Sequence, residues 1–157
     1  MSRRMLLLPV MAGLLSGCAA LPNAVVAVPK NTSKPVFQID RLERARGSKL
    51  RWAFANDFAK DTVLEFDFGS ADKNVFKPDF KLACVQMNAQ TRKSVKTKDT
   101  VRIAGNGPSF KLPAATEVGP SVCVASLEIR NDITPGDYAY TVKQDGTVKT
   151  DPVIIIR

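Results

Sequence analysis

Three sets of residues in this 157-residue chain are of types that do chemistry: the cysteines at 18, 84 and 123, a group of carboxylates, and two basic segments. Asp57, Asp61, Glu65, Asp67 and Asp72 fall close together in sequence. A pair of carboxylates at the right separation is the equipment for cleaving a glycosidic bond. Glu65 and Asp67 alternate with Leu64, Phe66 and Phe68, however, which places them on the wet face of a strand and the other three in the loops at its ends. The chain has no histidine, so the commonest general base and metal ligand is missing, together with every triad built on it. It carries no Ser-x-x-Lys motif, no Gly-x-Ser-x-Gly elbow and no phosphate-cradling glycine loop. Cysteines without histidine or a Cys-x-x-Cys spacing do not make a zinc site, and Asp72-Lys73-Asn74 lacks the further oxygen ligands of a calcium loop. These residues predict a protein that is not an enzyme and holds no metal and no cofactor.

The basic segments are Arg41, Arg44, Arg46, Lys49 and Arg51, around a turn at Gly47-Ser48, and Arg92, Lys93, Lys96, Lys98 and Arg102. As functional groups, Arg41, Arg44, Arg46, Arg92, Lys93, Lys96 and Lys98 are candidates for anion or partner contacts, arginine through paired hydrogen bonds. As structure, the same runs are solvated loops, or lysines that guard a sheet edge against aggregation. No aromatic residues punctuate them as stacking platforms would require, so nucleic acid is not an expected partner.

The chain begins with a basic Arg3-Arg4, an apolar run over residues 5–15, and then Ser16, Gly17 and Cys18. That is the layout of an export signal. The apolar run is too short to span a bilayer, which takes about 20 residues, and Pro9 and Gly13 interrupt it. Leu15-Ser16-Gly17-Cys18 resembles the lipobox of bacterial lipoproteins. The resemblance implies cleavage before Cys18, a diacylglyceryl thioether on its sulfur and acylation of its new amino group, so that the protein is held to a membrane by covalent lipid. Ala19 in second place, rather than aspartate, implies the outer membrane with the domain facing the periplasm, for a Gram-negative source. An ordinary signal peptide with a nearby cysteine is the alternative, since Ala19-Ala20 also suits a conventional peptidase.

With Cys18 given to lipid, Cys84 and Cys123 remain as an even pair in an oxidising compartment, where a disulfide is the expected outcome. Closing a loop of about 40 residues stabilises a fold by roughly 4 kcal/mol in the chain-entropy model. Two separate buried thiols are the alternative. The net charge is +8, two units of which belong to Arg3 and Arg4. The remaining excess suits encounters with anionic headgroups or an acidic partner.

The elements that must carry these residues alternate with period two. Phe80, Leu82 and Cys84 share one face of a segment, and Cys123, Ala125, Leu127 and Ile129 share one face of another, which suits a bridge through the core between strands of different sheets. Further strands are expected over residues 37–42, 50–54, 100–103, 109–112 and 138–143. After the last of these come a Gln144-Asp145-Gly146 turn, a returning strand from Thr147, and a buried strand over residues 153–156 beyond Pro152. Residues 105–108 and 118–120 read as loops.

These signals predict an all-β fold, a two-sheet antiparallel sandwich of about 7–9 strands, with a small barrel as the alternative. Residues 1–17 form the removed signal, residues 18–35, spaced by Pro22, Pro29 and Pro35, a lipidated tether, and residues 36–157 the domain. Residues 24–28 read alternatively as a first strand. The run Thr134-Pro135-Gly136-Asp137-Tyr138-Ala139-Tyr140-Thr141-Val142 resembles the late strand of immunoglobulin-like and fibronectin-like domains. It departs from the antibody pattern because Trp52 precedes both cysteines. The resemblance implies the sandwich and no function. The expected role is a binding or assembly module of an envelope complex with a protein partner. A lipoprotein that inhibits a cell-wall or membrane hydrolase, inserting residues 105–108 or 114–120 into a cleft, is the alternative.

Overall fold

A computed structural model describes residues 24–29, 35–38 and 40–157. The chain is all-β, with thirteen strands among the described residues, more and shorter than the sequence predicts. The lipobox, the signal segment and Cys18 lie outside the described residues.

The first layer is a six-stranded sheet of order β2-β1-β4-β9-β6-β7. Its members are β1 (Ala24–Val28), β2 (Val36–Phe37), β4 (Lys49–Asn56), β6 (Asp79–Met87), β7 (Ser94–Arg102) and β9 (Ser121–Glu128). The second layer consists of a four-stranded sheet, β12-β11-β5-β8, and a three-stranded sheet, β10-β13-β3. These comprise β3 (Arg41–Arg44), β5 (Thr62–Asp67), β8 (Ser109–Leu112), β10 (Gly136–Ala139), β11 (Thr141–Gln144), β12 (Thr147–Thr150) and β13 (Val153–Ile156).

The two smaller sheets share one long ribbon, whose outer part pairs β11 with β12 and whose inner part pairs β10 with β13. Pro152 has no N–H to continue the ladder. The chain breaks there, and the Tyr140 N–H donates to the Pro152 carbonyl at 3.1 Å. The single strand expected over residues 138–143 is therefore two. At the ribbon's tip Asp145 (φ 49°) and Gly146 (φ 81°) are both left-handed, the conformation of the Asp-Gly hairpin turn read from sequence. The Tyr138 hydroxyl donates to the Thr134 carbonyl at 2.5 Å, closing the Pro-Gly corner.

None of these sheets closes into a barrel. Leu50, Trp52 and Phe54 of β4 and Phe80 and Leu82 of β6 face Leu64 and Phe66 of β5 and Phe110 of β8 across a fully buried centre. Trp52 is its hub, with ring centroids 5.0 Å from Phe66, 5.5 Å from Phe76 and 6.4 Å from Tyr140. Phe54 and Phe110 meet at 4.6 Å.

Three expectations need correction. The tether does not run to Pro35: β1 pairs with β4 from Ala24↔Trp52 to Val28↔Asn56, and Ala24, Val26 and Val28 are buried in the core. The domain accordingly starts before residue 36. The sandwich is not wholly antiparallel, because β1 runs parallel to β4 and β3 parallel to β13. The strand expected over residues 37–42 is split, with Val36–Phe37 in the first layer and Arg41–Arg44 in the second, so this segment carries the chain between layers.

Candidate functional site

Cys84 and Cys123 are bonded, with Cα atoms 4.0 Å apart. They stand directly opposite each other on adjacent antiparallel strands, β6 and β9. The bridge thus lies within one sheet and does not cross between sheets as the shared apolar faces suggested. Its sulfurs are on the core side, Cys84 and Cys123 both being buried.

The carboxylates serve local structure. Asp61 accepts the Ala114 N–H at 3.0 Å. Asp67 accepts the Gly69 N–H at 2.8 Å and faces Lys143 Nζ at 2.8 Å. The hydrogen bond from Lys143, and then that from Gly69, hold its carboxyl below the ordinary aspartate range. Glu65 points to solvent from β5, and Asp72 lies in a single 3-10 turn, Ala71–Lys73.

The first basic segment does not converge. Arg41 and Arg44 lie at opposite ends of β3, and Arg46 sits in the turn that leads to β4. Arg41 approaches Asp137 at 3.9 Å, with both side chains more than half exposed, an arrangement of little energetic weight. Gly47 permits that turn with φ 71°, where an L side chain would be strained and would also overlap the Asn131 side chain.

The second basic segment divides. Arg92 (φ 54°) and Lys93 form the tip of the β6–β7 hairpin, closed by Asn88. Lys96 and Lys98 lie along β7, opposite Val85 and Ala83. Strand β7 is exposed almost throughout and is an open edge of the larger sheet, so these lysines also discourage strand addition.

Sequence reasoning missed the surface that Lys96 and Lys98 border. Inward residues of β4 and β9 leave Ala53, Ala55, Val122 and Val124 on the outward side, and the registers place these beside Val25 and Ala27 of β1 and Ala83 and Val85 of β6. Two rows result. One crosses the sheet as Val36, Ala27, Ala55, Val122 and Val85, ending at Lys96. The other runs Val25, Ala53, Val124 and Ala83, ending at Lys98. Val36 is 52% exposed. Ala83 is exposed, Val25, Ala27, Ala55, Val124 and Val85 are half-buried, and Ala53 and Val122 in the middle of the rows are buried. The available signal was apolar residues of both parities within residues 49–56 and 121–128, the mark of a sheet with two apolar faces.

Below these rows the same face turns polar. Lys49, Arg51 and Lys81, with Asp79, Thr100 and Glu128, line an open depression of about 530 Å³. Glu128 is engaged by Lys77 Nζ at 2.5 Å, and that hydrogen bond holds its carboxyl below the ordinary range.

The two candidate plug loops are laced back onto the body. The Phe66 N–H donates to the Pro108 carbonyl at 2.9 Å and the Phe68 N–H to the Asn106 carbonyl at 3.1 Å, so residues 106–108 extend the pairing with β5. The Ala115 N–H donates to the Phe58 carbonyl at 2.7 Å, and Thr116 and Gly119 exchange backbone hydrogen bonds at 2.9 and 3.1 Å. No family model and no curated protein sequence matches the chain.

Proposed function

We propose that this chain is a non-catalytic lipoprotein of the outer membrane, anchored by acyl chains on Cys18 and facing the periplasm, whose β-sandwich docks a protein partner in an envelope assembly. The observation that carries the docking role is the pair of Ala/Val rows on the outward face of the six-stranded sheet, ending at Lys96 and Lys98. The exposed and half-buried members of these rows, Val36 and Ala83 above all, release water on contact with a complementary surface, at about 25 cal/mol per Å². The lysines at the border favour a partner that carries carboxylates around an apolar centre and disfavour one that is basic there. The lipobox at Leu15 to Cys18 supports the anchor.

The inhibitor reading has less support, because the loops it would insert into a cleft are hydrogen-bonded onto β5 and Phe58. The test is chemical crosslinking in intact envelopes with the whole protein and its Ala83→Glu, Val124→Glu variant. The wild type is expected to yield a discrete crosslinked protein partner, and the variant to lose it while keeping its urea midpoint. Undiminished crosslinking by a folded variant removes the outward face from the function.

A further inference from the structure

Because β1 begins at Ala24, the domain sits close to the N-terminal part of the chain that would carry its anchor. If Cys18 is the anchored residue, only six peptide links join it to Ala24, the first residue of β1. Six links span at most about 20 Å in any conformation, against about 60 Å for a tether that reached Pro35. The bilayer surface must then come within that short distance of Ala24.

Ala24 also specifies which end of the sandwich is held. It pairs with Trp52, and β1 runs parallel to β4, so the chain enters β1 from the side of Leu50 and Lys49. Lys49 is three residues from Trp52, about 10 Å along the strand. The tether therefore reaches the end of the sheet and little beyond it.

That end is basic. Lys49 opens β4, Lys81 lies one row beyond Leu82 on β6, and Arg102 closes β7 opposite Asp79. Arg46 projects from the turn before Lys49. All four are exposed, and none is within ion-pair distance of a carboxylate among the described residues, although Lys49 stands opposite Glu128 and adds to the lowering of its pKa. The acids there are largely matched: Glu128 by Lys77, Asp132 by Arg130 and Glu43 by Arg157. Asp79 offsets one charge, which leaves a clear excess of cations.

We propose that this end, presenting Arg46, Lys49, Lys81 and Arg102, lies against the anionic headgroups of the membrane that holds Cys18. The inference rests on the lipoprotein reading for its anchor. Each Lys or Arg at an anionic surface strengthens contact about fivefold, and the contribution falls off within a Debye length, so the contact is salt-sensitive. The acyl chains keep the domain attached, and the cations fix which way it faces.

Trp52, the sole tryptophan, lies beside Ala24 and reports the distance. The whole acylated protein is reconstituted into phosphatidylglycerol-containing vesicles or pure phosphatidylcholine vesicles, each carrying dansyl-labelled headgroups, and energy transfer from Trp52 is measured. Transfer is expected to be stronger on the anionic vesicles. High salt, or the Arg46→Gln, Lys49→Gln, Lys81→Gln, Arg102→Gln variant, should bring it down to the phosphatidylcholine level. The Lys49→Gln, Lys81→Gln variant, with half the substitutions, gives a partial decrease and replaces the larger variant if that one does not fold. Equal transfer on both vesicles, or transfer indifferent to salt, overturns the apposition while leaving the anchor in place. Mass spectrometry of the purified protein separates the two ideas: a chain with no acyl mass at Cys18 removes the lipoprotein reading and this orientation with it.

Discussion

Substitutions at two neighbouring residues of β1 decide whether the segment is core or tether. Val26 is fully buried and Val25 points outward beside Ala53. Val26→Asp forfeits the burial of a valine, about 1.5–3 kcal/mol, and places an unpaired carboxylate in an apolar core, which adds several kcal/mol. The sum, beyond about 4 kcal/mol, is a large part of a domain stability of about 5–15 kcal/mol. Val26→Ala removes two methyl-sized groups and leaves a small cavity, for about 2 kcal/mol, and remains measurable if the aspartate variant does not fold. Val25→Asp puts its carboxylate on the half-buried outward face, where water still reaches it, and is expected to cost about 1 kcal/mol, well below the effect at Val26. Urea unfolding followed by Trp52 fluorescence measures all three, since Trp52 lies opposite Ala24 in the neighbouring strand. Equal effects at 25 and 26, or no effect at either, would refute the placement of β1 in the sheet.

The remaining predictions concern the bridge, one ion pair and one glycine. Reducing the Cys84–Cys123 disulfide, which spans a sequence separation of 39 residues, should lower stability by up to roughly 4 kcal/mol; an unchanged urea midpoint would mean that the bond does not constrain the unfolded chain. The Asp67 carboxyl, held below its ordinary value first by Lys143, stabilises the fold fully above the unfolded aspartate pKa of about 3.9 and progressively less as pH falls through the lower folded value. Lys143→Met should move the Asp67 carboxyl titration, followed by carbon NMR, upward toward the ordinary range, and a titration that stays put would discount the pairing. A Cβ at Gly107 would overlap the Phe66 carbonyl oxygen, a backbone atom that cannot swing aside. Gly107→Ala should therefore destabilise by roughly 1–3 kcal/mol and speed amide exchange at Phe66 and Phe68, whose N–H groups pair with this loop. Wild-type exchange rates at those amides would show that the loop adapts without strain.

Local patterns carried the fold where burial is one-sided. Leu64, Phe66 and Phe68 alternate with Val63, Glu65 and Asp67, and the structure buries that apolar set. The Asp145-Gly146 hairpin and the Val153–Ile156 strand were legible for the same local reasons, a turn that needs positive φ and a proline that ends a ladder. Strand β7 was legible only in part, since Ser94–Arg102 is polar and becomes a strand through its pairing with all nine residues of β6. Tertiary pairing there outweighs intrinsic preference. Strand β1 was obscured because Ala-Val-Val-Ala-Val has no polar alternation and prolines flank it. The position of the disulfide was beyond periodicity altogether. Residues on one apolar face can meet a neighbour in the same sheet or a residue across the core, and strand order decides which.

Placing β1 in the sheet links the two surfaces. Ala24, Val26 and Val28 bind the entry of the chain to the core, while Val25 and Ala27 of the same strand belong to the outward Ala/Val rows. The strand that shortens the proposed tether thus also contributes to the proposed docking face. In the proposed orientation the six-stranded sheet stands on its basic end, with its strands rising from the bilayer and its outward face turned sideways. The rows of Ala53 and Ala55 then lie only a few residues above Lys49. A partner that fits this face has to reach to within about 10–20 Å of the headgroups, at the rise of about 3.3 Å per residue of a strand. That requirement favours a protein that is itself held at the same membrane over one diffusing through the periplasm, because sharing a surface raises the effective concentration of one for the other.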